Sequence, residues 1–232
     1  MHCDFAFFMG GTRENAKDLP ELELLPGCAG VKVFMGSSTG TLLVEDDAGV
    51  REILQNIRRR ASFHSEDEFR LRERMDHPVW RDEIVAMECT RRLVHLAREV
   101  GKRVHVLHIT TKQEMQFLKD HKDVASCEVT PQHLTLEGPD AYERLGTYAQ
   151  QNPPVRGATH REALWHALQQ GVVDVLGSDH APHTREEKDK QYPNTPSGMP
   201  GVQTMVPIML DHVNAGRLTL ARFVDLTSHG PQ

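Results

Sequence analysis

The stretch HREALWHALQQGVVDVLGSDHAPHT, residues 160–184, changes periodicity in its middle. HREALWHALQQG (160–171) spaces its apolar residues as a helix does and ends on a glycine. VVDVLGSDH (172–180) then reads as a strand. An acid and two histidines, Asp179, His180 and His183, leave the end of that strand together, beside a proline. The loop reads as a binding loop, with an ordinary polar turn as the alternative. A helix that feeds a strand carrying ligand-type side chains at its end is one unit of an α/β fold.

The same unit recurs in both directions. DFAFFMGG (4–11), GVKVFMGSS (30–38), ASFHS (61–65), RVHVLHITT (103–111) and ASCEVTPQHLTL (125–136, broken at Pro131) read as further strands. Helices are expected over 45–60, with acids in the first turn and arginines in the last to suit the helix dipole, and within 77–102. The second of these would bury Ile84, Met87, Leu93, Leu96 and Ala97 and stop at Gly101. KQEMQFLKDHK (112–122) is another helix, and 199–216 and 219–228 begin two more. Strands alternating with helices imply parallel pairing with helical crossovers. Neither GxGxxG nor GxxxxGK[ST] occurs, which removes support for a nucleotide-binding sheet. Polar residues collect at strand ends, where a β/α barrel places its active site.

Composition sets the class. The 232 residues carry a net charge of −6 with 38% hydrophobic residues, enough chain for one large domain, 1–232. Mild acidity argues against a nucleic-acid partner. No run is apolar enough to span a membrane, and the N-terminus lacks a basic region typical of a signal peptide. Cys3, Cys28, Cys89 and Cys127 have no paired spacing and read as reduced core thiols of a cytoplasmic protein. The 14 histidines are the unusual feature.

Four strand ends offer metal-ligating chemistry: Lys32, His64, His108 and Asp179. Strand alternation puts Val104, Val106 and His108 on one face and His105 on the other, so His108 is expected to face the barrel axis and His105 the helices. Lys32 lies between Val31 and Val33, where burial disfavours its cation. A neutral amine there could add carbon dioxide to become a metal-bridging carbamate. A lysine simply paired with an acid fits the same residues.

Taken in order, VKVFMGSS, FHSEDE, HVLHITT, EVTPQHLTL, NPPVR, GSDHAPHTREEK and SGMPGVQT resemble the bacterial dihydroorotases of the amidohydrolase superfamily. The resemblance covers nearly the whole chain. It implies an amidohydrolase-type (β/α)8 TIM barrel and a zinc-dependent cyclic amide hydrolase of pyrimidine biosynthesis. The reaction is the reversible cyclisation of N-carbamoyl-L-aspartate to L-dihydroorotate by a metal-bound hydroxide. By position, the resemblance makes Lys32 a carbamate bridging two zinc ions. It assigns His64 and His108 to one ion, and Asp179 to the other as acid/base. His183 would meet the substrate carboxylate, and Asn152, Pro200 and Gly201 the ring edge. His133 and His180 adjoin the motifs and receive no role.

The chain departs from that pattern in having no H-x-H strand with its following arginine. Six of the eight strands are recognisable, so the barrel is expected to be incomplete and to lack the small β-rich side domain. One metal would then keep Lys32, His64 and His108, and the other only Lys32 and Asp179, so one zinc ion or none is a further expectation. Two other readings follow: a hydantoinase- or allantoinase-type cyclic amidase, and a non-catalytic scaffold for aspartate transcarbamoylase. A small-molecule substrate and either a homo-oligomer or a transcarbamoylase complex are the expected partners.

Overall fold

A computed structural model describes residues 4–38, 42–71 and 76–232. Six strands, β1 (Phe7–Gly10), β2 (Cys28–Phe34), β3 (Ala61–His64), β4 (Val104–Val106), β5 (Ala125–Val129) and β6 (Val175–Leu176), form one sheet in sequence order. Every neighbouring pair is parallel. Each crossover therefore returns the chain to the edge just built, which is the winding of an incomplete (β/α) barrel.

Side-chain alternation splits the sheet into two faces. Val33, Phe63, Val106 and Cys127 lie in register across four strands, and all are fully buried. They join one continuous apolar core that takes in Ile53 and Leu54 of the helix Asp47–Asn56, Leu93 and Leu96 of Glu83–Val100, Leu118 of Lys112–Lys119, and Leu164 and Leu168 of Ala158–Gln169. The opposite face carries the in-register row Lys32, Ser62, His105 and Ser126. Apolar burial thus fixes which way each strand faces, and the polar row follows from the period of two.

The long helix starts at Asp82, whose side chain accepts the Val85 N–H at 2.8 Å. It ends as expected at Gly101, whose φ of 72° lets the Lys102 N–H reach back to the Ala97 carbonyl at 2.9 Å. Ile84 departs from expectation, being 48% exposed. It sits one helical step above Glu88 and Arg91, which pair at 3.0 Å in solvent, while Val85, Cys89 and Leu93 carry the buried stripe. The arginines expected in the last turn of the preceding helix also lie outside it. That helix stops at Asn56, and the Arg58 and Arg59 N–H groups donate to the buried Glu23 carboxylate.

All six strands are shorter than the spans read from the sequence, and in β5 and β4 the early stop changes the site. β5 ends at Val129, and Thr130 caps a short helix, Pro131–Thr135, rather than a continued strand. Proline at the first helical position lacks an N–H that would have no partner there. β4 ends at Val106, which overturns the alternation argument for its histidines. His105 shares the Lys32 face and bonds Ser126 Oγ at 2.8 Å, whereas Val104 and Val106 face the helices. His108 reaches the site because the chain has already left strand geometry there. Among the cysteines, Cys89 and Cys127 are buried free thiols, pushed up to about 12 by burial, and Cys28 is half-buried. Cys3 lies outside the described residues.

Candidate active site at the strand ends

The C-terminal end of β3 delivers His64, and the turn after β4 delivers His108. His64 Nδ1 and His108 Nε2 stand 3.0 Å apart, with both rings buried. His64 Nε2 donates to Glu66 Oε2 at 2.9 Å. Glu66 in turn forms an ion pair with Arg81, and the two side chains are 0% and 3% exposed. Gly36 makes room for this arrangement, since a Cβ there would lie 2.4 Å from the Glu66 carbonyl oxygen.

Burial alone would raise the Glu66 carboxyl, but the Arg81 charge and the hydrogen bond from His64 outweigh it and hold the group well below the usual carboxylate range. Burial lowers both imidazoles, His108 strongly, with the His64 and Lys32 charges adding to the effect on His108. Both rings are therefore neutral. With Nε2–H of His64 committed to Glu66, its Nδ1 lone pair faces His108. A buried histidine backed by a carboxylate is the arrangement that orients a metal-ligating imidazole.

Lys32 projects from β2 on the same face. Burial lowers its pKa, and the Asp179 and Glu128 charges partly restore it. Its Nζ lies 4.6 Å from the centre of the Phe34 ring. Asp179 follows β6. Among the described residues only His108 and Asp179 are non-glycine residues with positive φ, at 37° and 42°. That conformation costs energy for a residue with a Cβ and concentrates at functional sites.

The remaining expected site residues are gathered by the loop 195–202. His183 Nε2 donates to the Ser197 carbonyl at 3.2 Å. Gly201 packs its backbone on Ser178, where a Cβ would lie 2.2 Å from the carbonyl oxygen. Its N–H donates to His180 Nδ1 at 2.9 Å, so His180 holds this loop against β6. Pro200 is exposed. Asn152 Oδ1 accepts from His77 Nε2 at 2.9 Å. His133 is buried under the same region, accepts from Thr130 and donates to the Pro153 carbonyl, and burial lowers it to about 4.

The metal test is met in part. His64 Nδ1 presents a neutral lone pair with the Glu66 carboxylate behind its ring, which fits zinc chemistry, whereas His108 Nε2 donates its hydrogen to that atom and would have to give it up to ligate an ion. Among the described residues no group of three or more His, Cys, Asp or Glu side chains comes together as a metal site. Of the other two expected ligands, Lys32 is buried, which favours its neutral amine, and it lies within the electrostatic reach of Asp179. Glu66 and Arg81 were not singled out from the sequence. The pattern His64-x-Glu66 at the end of a strand was the available signal, whereas Arg81 joins the site only through tertiary folding.

Comparison with known proteins places this geometry in a class. The chain has the amidohydrolase-type barrel fold. It superimposes on the L-hydantoinase of Arthrobacter aurescens with a TM-score of 0.90 at 28% identity, covering 98% of this chain and 55% of that one. In sequence it is a homologue of the dihydroorotases: it is 34% identical to that of Methanosarcina mazei over 96% of this chain and 53% of the relative. L-hydantoinase of Paenarthrobacter aurescens is 32% identical over the full chain and 55% of the relative. An inactive dihydroorotase-like domain of a Chaetomium thermophilum CAD-like multifunctional protein shares the fold, with a TM-score of 0.70 at 17% identity. No protein-family profile matches. The chain spans about half the length of the curated relatives it matches. No helix among the described residues is long and apolar enough to cross a membrane.

Proposed function

We propose that the chain carries the core of a dihydroorotase-type cyclic amide hydrolase, acting on L-dihydroorotate and, in reverse, on N-carbamoyl-L-aspartate. The observation that carries this reading is the imidazole pair, His64 Nδ1 to His108 Nε2 at 3.0 Å, braced by the buried Glu66–Arg81 ion pair. In it, His64, His108 and a carboxylated Lys32 hold zinc. The bound ion supplies Lewis acidity to the ring amide carbonyl and makes water a nucleophile near neutral pH.

The protein's own groups do the rest. Asp179 takes the proton from the attacking water and returns it to the ring nitrogen as the amide bond breaks. His183 binds the substrate carboxylate, and Asn152, Pro200 and Gly201 meet the ring edge. The strained backbone at His108 and Asp179 favours a working site over a scaffold for aspartate transcarbamoylase, because a scaffold gains nothing from that strain. A hydantoinase is the second reading, favoured by the L-hydantoinase superposition.

The test is turnover by the purified, zinc-loaded protein in bicarbonate, with dihydroorotate and hydantoin offered separately. Ring opening of dihydroorotate that disappears in Asp179→Asn is the expected result. Hydantoin opening alone would replace the reading by the second one. Neither reaction, together with co-purification of a transcarbamoylase, would favour the scaffold.

A further inference from the structure

A cavity of about 340 Å³ adjoins the Glu66 cluster and shares Arg81 with it; its wall also includes Ser37, His77, Asn152 and Ser197. His77 is buried in that wall. Its Nε2 lies 2.9 Å from Asn152 Oδ1 and 3.5 Å from Ser197 Oγ, and its Nδ1 is buried without a partner among the described residues. Burial lowers the ring to about 4, so at neutral pH it holds one proton.

The lone Nδ1 decides where that proton sits. Carried on Nδ1, it would be a buried N–H with no acceptor. Carried on Nε2, it donates to Asn152 Oδ1 and leaves only a bare lone pair at Nδ1, the less costly defect. Asn152 is then held with its oxygen spent on His77 and both Nδ2 hydrogens left to donate.

Building on the dihydroorotase reading, we infer that His77 is a positioning residue that locks the Asn152 amide so that Nδ2 donates to a carbonyl oxygen of a cyclic amide substrate. A ring presenting an N–H at that place meets a second donor and is rejected. This makes the His77–Asn152 pair a selector for ring carbonyls, common to dihydroorotate and hydantoin.

The test uses the full zinc-loaded chain and calorimetric titration with L-dihydroorotate and with hydantoin. His77→Phe is expected to weaken binding of the ring compound about tenfold, the scale of one neutral hydrogen bond. Asn152→Ala should do the same, and the double variant should be no weaker than either single one. His77→Gln, which can still donate to Oδ1, should recover most of the affinity. Losses that add in the double variant, or no recovery with Gln, would overturn the inference. Nitrogen NMR of the metal-free protein at pH 7 gives a readout independent of substrate: the Nε2–H tautomer of His77 is expected, and an Nδ1–H tautomer or a cation ends the proposal. Binding of hydantoin alone would sink the dihydroorotase reading and leave the positioning role standing. Binding of neither would sink that reading too, and the tautomer would still decide the role of His77.

Discussion

The two halves of the candidate site are built differently. After β3 and β4, His64, His108, Glu66 and Arg81 are all buried and held side chain to side chain. After β6, Asp179 and His183 are half-buried, and the loop over them is tied largely through backbone groups, by His180 to Gly201 and by His183 to Ser197. Lys188 adds to that tie, donating to the carbonyls of Gln150, Pro196 and Gly198. The first half is a rigid ligand platform whose parts depend on one another. The second is a half-buried cover held mainly through main-chain groups.

The strongest way to break this contrast is to remove Arg81. Arg81→Met leaves Glu66 charged and buried, and should cost about 3–5 kcal/mol in urea unfolding, the usual penalty for half of a buried ion pair. Changing Glu66→Gln as well should recover much of that loss. If Arg81→Met were nearly neutral, the platform would not be the interdependent unit described.

Zinc sharpens the comparison next. At a hundredfold excess over its Kd, zinc should stabilise the native protein by about 3 kcal/mol. His108→Ala should abolish that gain, and His183→Ala should leave it intact. A chelator melt of the three proteins reads this directly.

Acid should act mainly through buried histidines. His77 and His133 titrate near 4 in the folded state because of burial, against about 6.5 when unfolded. Their folded values are lower, so between those limits the unfolded chain binds more protons. Their contribution is full above about pH 6.5 and is lost as pH falls towards 4, by roughly 1 kcal/mol per pH unit for each ring. His77→Gln should flatten the slope of stability against pH by about that amount. Glu66, with its lowered carboxyl, adds a further loss only below about pH 4.3.

Asp179→Asn should have the smallest effect on folding, within about 0.5 kcal/mol, because asparagine also accepts a positive φ. On turnover its effect should be large, about a hundredfold or more for loss of an acid/base group. A large loss of stability instead would make Asp179 a structural residue.

Much of the architecture was readable in the chain. The apolar runs marked all six strands, and the valines that flank Lys32, Val31 and Val33, are in the core. The errors have physical causes. Ile84 was assigned to the buried face of its helix, yet rotation about the axis puts it beside Glu88 and Arg91. The continuation of β5 failed because Thr130 and Pro131 form a better helix start than a strand interior. His105 was assigned to the helices by counting alternation back from His108, but β4 stops after three residues and alternation has no force beyond the last ladder bond.

The sequence by itself determined the order of strands and helices, the polar strand ends, and the identity of the imidazoles and the acid. These are local properties, set by side-chain period, caps and turns. The tertiary structure alone decided which of those groups meet. Glu66 finds Arg81 across 15 residues, and His77 finds Asn152 across 75. No local rule reaches that far. Such pairs are fixed by the helices packing onto one apolar face of the sheet, which turns separate strand ends into one site.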